Sequence, residues 1–228
     1  MTIDRRSLIK GIAACGIAAP ILAALPTLAQ AGMRAPTPDR TLRVMVGAGA
    51  AASPFVRGVR TVAPARALDV REAGLAIGFL LGFEQELHSG PPTRVIGLLD
   101  DALATPLLDL ARSAGARVAW LGQHVADAGR MSHRLVTSPR TEACALAFGH
   151  YLEACGAAFT LDHERPYRAA ASVRSGAIAR ADGHADRWAT VIGALLASPA
   201  APALDEALRI RTADVPLRGS FVSFSIET

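Results

Sequence analysis

Apolar residues in this chain fall into short blocks, each followed by a turn of small residues and then a hydroxyl–proline pair. Leu42-Arg43-Val44-Met45-Val46 reads as a strand that runs through a small-residue loop into Ser53-Pro54. Arg94-Val95-Ile96-Gly97-Leu98-Leu99 reads as a second, followed by Asp-Asp-Ala-Leu-Ala and Thr105-Pro106. Arg134-Leu135-Val136-Thr137 reads as a shorter third, with Ser138-Pro139 directly after it. A hydroxyl at the N-cap accepts a free amide of the first helical turn, and proline beside it lacks an amide that would go unpaired there. Each repeat of the pattern therefore predicts strand, loop and helix start.

The middle repeat is the most regular. Leu103, Leu107, Leu110, Ala111 and Ala114 follow helical spacing and Gly115 supplies a left-handed stop. Arg117 to Leu121 then reads as the next strand. Strand, short helix and strand predict a βαβ unit, parallel and right-handed. Residues 74–87 predict a buried helix, 141–155 a helix ending at Gly156, 186–197 a late helix, and 220–226 an alternating terminal strand. The expected fold is α/β: one layered domain over residues 41–228, with a mostly parallel central sheet flanked by helices, Rossmann-like.

The first forty residues follow a different rule. Arg5, Arg6 and Lys10 form a positive head, residues 11–28 carry no charge, and Ala29-Gln30-Ala31 offers small residues at two positions a signal peptidase reads. Residues 4–10, Asp-Arg-Arg-Ser-Leu-Ile-Lys, resemble a twin-arginine translocation signal, with Asp4 where Ser or Thr is common and Leu8 where Phe is common. The resemblance implies export in the folded state to the periplasm. The translocase and signal peptidase would be partners in transit, with residues 1–31 removed and 32–40 a Pro-rich lead-in. Pro20 and Pro26 interrupt the apolar run, against a membrane anchor of about 20 residues. Ile12-Ala13-Ala14-Cys15 resembles a lipoprotein box but lies too near Lys10, so no stable anchor is expected after cleavage.

Composition narrows the chemistry. Without residues 1–31 the chain keeps 197 of its 228 residues, and its formal charge of +4 drops to +2. No basic patch for nucleic acid is expected. Beyond the leader there is no lysine, which excludes Schiff-base and P-loop lysine chemistry. Cys144 and Cys155 lie 11 residues apart on one expected helix, about 16 Å along its axis. A disulfide needs Cα atoms within about 7 Å, so the two are expected as buried, small apolar side chains on one helix face.

Ligands of open parallel sheets bind beyond the carboxyl ends of the strands. That rule selects the Gly47–Ala50 loop, Asp100 and Asp101, Gln123 and His124, and Thr137-Ser138. Neutral imidazole near a carboxylate suits a general base or a metal ligand, so Asp100, Asp101, Gln123 and His124 are the catalytic candidates. Gly47-x-Gly49-x-x-Ala52 superficially matches a dinucleotide fingerprint, with Asp69 about 20 residues on as the ribose acid. Asp162-His163-Glu164 could place its two carboxylates on one side of a strand and its imidazole on the other. Asp182 and Asp186 suit capping of the late helix. No metal, cofactor or reaction is specified by any motif. The expectation is a non-catalytic accessory or ligand-binding protein, a role that leaves room for a co-exported partner subunit. The alternative is a small periplasmic enzyme or cofactor-binding subunit with its site at the carboxyl ends of the strands.

Overall fold

The computed structural model describes residues 41–63, 68–127, 130–154, 159–165, 168–175, 187–198 and 217–228. The leader residues Arg5, Arg6, Lys10, Ala29 and Ala31, and with them Cys155, Asp182 and Asp186, lie outside the described residues. In chain order the elements are β1 (Thr41–Val46), α1 (Pro54–Val62), β2 (Asp69–Glu72), α2 (Ile77–Ser89), β3 (Thr93–Asp100), α3 (Asp101–Ser113) and β4 (Arg117–Asp127). There follow β5 (Arg130–Thr137), α4 (Glu142–Ala154), β6 (Phe159–Arg165), β7 (Arg168–Ser175), α5 (Trp188–Ala197) and β8 (Gly219–Glu227).

The fold is α/β, with one eight-stranded mixed sheet in the order β2-β1-β3-β8-β4-β5-β6-β7. β1 pairs in parallel with β2 and β3, and β5 with β6; the other four pairings are antiparallel. The expected mostly parallel sheet is therefore corrected. The terminal strand β8 inserts antiparallel between β3 and β4, so these two strands of the expected βαβ unit share a direction without touching. A strand's hydrophobic pattern specifies its faces but carries no record of its neighbour, and here the neighbour arrives from the far end of the chain.

Period-two alternation distributes each strand between two cores. Leu42, Val44 and Val46 of β1, with Ile96 and Leu98 of β3, face α1, α4 and α5. Met45, Val95 and Leu99, with Val222, Phe224 and Ile226 of β8, face α2 and α3. Ser53 caps α1 with Pro54 at its first position, as expected, and Ser53 Oγ accepts from the Val56 amide at 3.4 Å. α3 starts earlier than Thr105-Pro106 because Asp100 Oδ1 already accepts the Leu103 amide at 3.0 Å; Pro106 lies inside the helix.

Two features hold the layers in place. α5 is buried along its whole length and crosses α1 so closely that two glycines meet the other helix's backbone. A Cβ on Gly58 would stand 1.9 Å from the Thr190 carbonyl oxygen, and one on Gly193 2.1 Å from that of Phe55. On the opposite face, Arg43 and Arg71 each bond both Asp69 and Glu86, tying α2 to β1 and β2. The hydrogen bonds from Arg43 and Arg71 outweigh the effect of burial and hold the Asp69 carboxyl below its ordinary pKa. The α2 segment is less buried than its apolar sequence predicts: only Phe83 and Leu87 are fully covered, and Leu75, Ile77 and Leu81 face outward.

Candidate functional site

Alternation along β4 places Trp120, Gly122, His124 and Ala126 on its buried face. The antiparallel neighbour β5 places Met131, His133, Leu135 and Thr137 on the same face, with His133 directly opposite His124. β8 adds Ser223 opposite Gly122 on the other side of β4. The three strands thus bring two imidazoles, an indole and a hydroxyl together beneath the helices.

The result is a continuous chain of hydrogen bonds. Trp120 Nε1–H donates to Ser223 Oγ at 2.8 Å, Ser223 Oγ meets His124 Nε2 at 2.7 Å, and His124 Nδ1 meets His133 Nδ1 at 2.8 Å. One proton assignment satisfies the run: Ser223 donates to His124, whose Nδ1–H donates to His133. His133 Nε2 then carries the last proton, buried without a partner. In the reversed assignment the same atom is an unpaired acceptor. An orphan of this kind costs roughly 1–3 kcal/mol.

Aromatic rings close the pocket around the pair. Trp188 of α5 lies over His124 with ring centres 4.8 Å apart and planes tilted by 34°, and Phe148 of α4 meets His133 edge-on at 5.1 Å. His124 and His133 are each 1 % exposed. Burial keeps both imidazoles neutral. It drives His124 well below its ordinary pKa, with a further push from His133, and takes His133 down to about 3. Gly122 makes the chain possible, since a Cβ there would stand 2.5 Å from Ser223 Oγ and 2.7 Å from His124 Nε2. One strand over, His163 Nε2 meets Thr137 Oγ1 at 2.8 Å, also buried.

The predicted candidates do not converge. His124 is inside β4 rather than in a loop after it, because β4 continues six residues past Leu121 and pairs with both neighbours. Gln123, its sequence neighbour, is exposed on the opposite face. Asp100 is the α3 cap, and Asp101 is an exposed residue of the first turn. Asp69 sits at the start of β2; the residue of β2 paired with the end of β1 is Glu72. Glu72 Oε1 accepts the Gly49 amide at 2.9 Å, and Gly49 adopts a left-handed φ of 73°. One amide that a pyrophosphate would use in the dinucleotide reading is thus already occupied by a carboxylate. Gly47 closes a turn through its carbonyl to the Ala50 amide at 3.0 Å. Asp162 and Glu164 do share the outer face of β6 while His163 points inward, and Arg134 bonds Glu164 at 2.6 Å. Cys144 is a buried thiol whose Sγ lies 3.9 Å from the Leu195 carbonyl oxygen.

Among the described residues, no group of three or more His, Cys, Asp and Glu could hold a metal ion. His133, Ser223, Trp188 and Thr137–His163 were not foreseen as partners. The signal for His133 was present: His124, Ala126, Met131, His133 and Leu135 keep alternation on either side of Asp127-Ala128-Gly129-Arg130, a hairpin pattern. Comparison with protein-family models, with curated proteins and with solved structures finds no match.

Proposed function

We propose that the chain is a non-catalytic accessory or ligand-binding protein, carried to the periplasm already folded by the twin-arginine route. The observation that carries this reading is the enclosure of His124. The one imidazole expected to act as a base is engaged at both nitrogens and covered by Trp188, with no route to a dissolved substrate. The neighbouring candidates serve the fold instead, Asp100 as a cap and Gly49 as a turn held by Glu72.

The Arg5-Arg6 leader supports folded export, with the translocase and signal peptidase as transit partners and room for a co-exported subunit. No helix among the described residues is long and apolar enough to cross a membrane. Rossmann-like character is confined, in this reading, to β2-β1-β3, where the chain leaves β1 in both directions across the sheet. A bound ligand would belong at that switch point, beside the Gly47–Ser53 loop.

The test is a pair of substitutions, His124→Ala and Asp101→Ala, in protein recovered from the periplasm and examined by native mass spectrometry. The reading expects changes of stability in the first and nearly none in the second, with the bound mass unaltered. Loss of a co-purified ligand or of an activity, in variants that remain folded, would overturn it in favour of an enzyme.

A further inference from the structure

We propose that β8 is a latch: the domain closes only when this strand is seated, so a chain becomes fit for folded export only once it is made through Glu227. The export half rests on the twin-arginine reading of the leader. The latch rests on the sheet alone.

β8 lies in the middle of the sheet yet follows every other described element in the chain. Phe221–Glu227 pairs with β3 on one side, and Gly219–Glu227 with β4 on the other. Without it, β2-β1-β3 and β4-β5-β6-β7 would be two sheets with facing rows of unpaired backbone groups. Both cores would open as well. Val222, Phe224 and Ile226 fill the one under α2 and α3, while Ser223 holds the Trp120–His124 chain in the other.

The slot is shaped for this strand. Gly97 of β3 stands opposite Phe224, and Gly122 of β4 opposite Ser223. A Cβ on Gly97 would lie 2.4 Å from the Phe224 ring, and one on Gly122 2.5 Å from Ser223 Oγ. Arg94 Nε donates to Ser225 Oγ at 3.3 Å. Glycine weakens a strand interior, and here each glycine makes room for a β8 side chain. Sheets take up an added strand in this way, with backbone pairing for affinity and pockets at chosen residues for selectivity. Synthesis delivers the chain from its N-terminus, so the leader is available before the sheet can close. A chain stopped short of β8 carries an export address and no closed domain.

Strand complementation tests the latch. A chain ending at Pro216 is refolded from urea, alone and with a synthetic peptide of residues 217–228, beside the full chain. Both tryptophans report on β8, Trp120 through its bond to Ser223 and Trp188 through Phe221, with ring centres 6.1 Å apart. The short chain alone is expected to show water-exposed tryptophan emission and no cooperative urea transition, and the peptide to restore both. A peptide carrying Phe224→Ala should bind roughly a hundredfold or more weaker. A short chain that unfolds as cooperatively as the full one would overturn the proposal. So would a peptide that restores nothing, aggregation included, or one that works equally well without the Phe224 ring. Export is read separately, in cells: the full chain should reach the periplasm and the chain ending at Pro216 should not. Equal export of the two would overturn the export half. Unchanged export of the full chain with Arg5→Lys and Arg6→Lys would remove the leader reading and the export half with it, while complementation still decides the latch.

Discussion

The two halves of the sheet are built by different rules. β2, β1 and β3 are parallel, with α1 packed on one face and α2 and α3 on the other; the buried positions of β1 and β3 are apolar apart from Thr93, and the charged groups near the edge, Arg43, Asp69 and Arg71, are tied to one another and to Glu86 of α2. β5, β6 and the second half of β4, from Gly122 on, have a single buried face. Gln123, Val125, Asp127, Ser132, Arg134 and Thr160 on the other side are exposed. The buried face of this second half contains three histidines, while that of the first contains none. Burial on both faces demands apolar residues nearly throughout a strand, whereas antiparallel strands covered on one side need them only at alternate positions. Polar groups can enter the second core because adjacent strands hold partners at hydrogen-bond distance: Ser223 for Trp120 and His124, and Thr137 for His163.

Breaking the anchor of the first half should have the largest effect. Gly58→Val or Gly193→Val forces a side chain into backbone at the α1–α5 crossing, and each should cost about 3 kcal/mol or more in urea unfolding, or prevent folding. Breaking the second half should cost less. His124→Ala leaves a cavity and two unpaired polar partners, for a loss of about 2–3 kcal/mol.

The same pair makes stability depend on pH in one direction. Both imidazoles have a folded pKa below the ordinary 6.5, so the unfolded chain binds more protons as pH falls. Their contribution is complete above about pH 6.5 and is lost on acidification, His133's through a window reaching down to about 3. The slope approaches about 1.4 kcal/mol per pH unit for each proton involved. Urea unfolding at several pH values should show the fall, and His133→Phe should flatten it while removing the orphaned Nε2. A smaller effect belongs to the cap at the end of β3: Asp100→Ala should cost about 1 kcal/mol. The smallest concerns the open face, where Gln123→Ala should alter stability by less than about 0.5 kcal/mol.

The contrast between the halves also explains what could be read from the sequence. β1, α1 and β3 were legible because apolar runs, the Ser53-Pro54 pair and the turn before it are local signals. α3 and β4 were found with the wrong start and the wrong end respectively, since Asp100 outcompetes Thr105 as cap and β4 continues through residues that look like a loop. The position of β8 was not legible at all. Its Ser-Phe-Val-Ser-Phe-Ser-Ile alternation suggests a strand with one polar face, yet Ser223 and Ser225 are fully buried because the strand lies in the middle of the sheet. At the candidate site, His124 is expected in a loop beyond the strand and lies instead inside β4. Its environment depends on His133, Ser223 and Trp188, which lie nine, 99 and 64 residues away along the chain.

The enclosed histidine pair is the centre of this account, and nitrogen-15 NMR of the imidazoles over a pH titration tests it most directly. The predicted result is two neutral rings whose resonances do not move through pH 6.5 and persist until the protein unfolds in acid, with one Nδ1 protonated and the other accepting its hydrogen bond. A His124 or His133 resonance that titrates with an ordinary midpoint near 6.5 in the folded protein would contradict it, because such an imidazole would be open to solvent and free to act as a base.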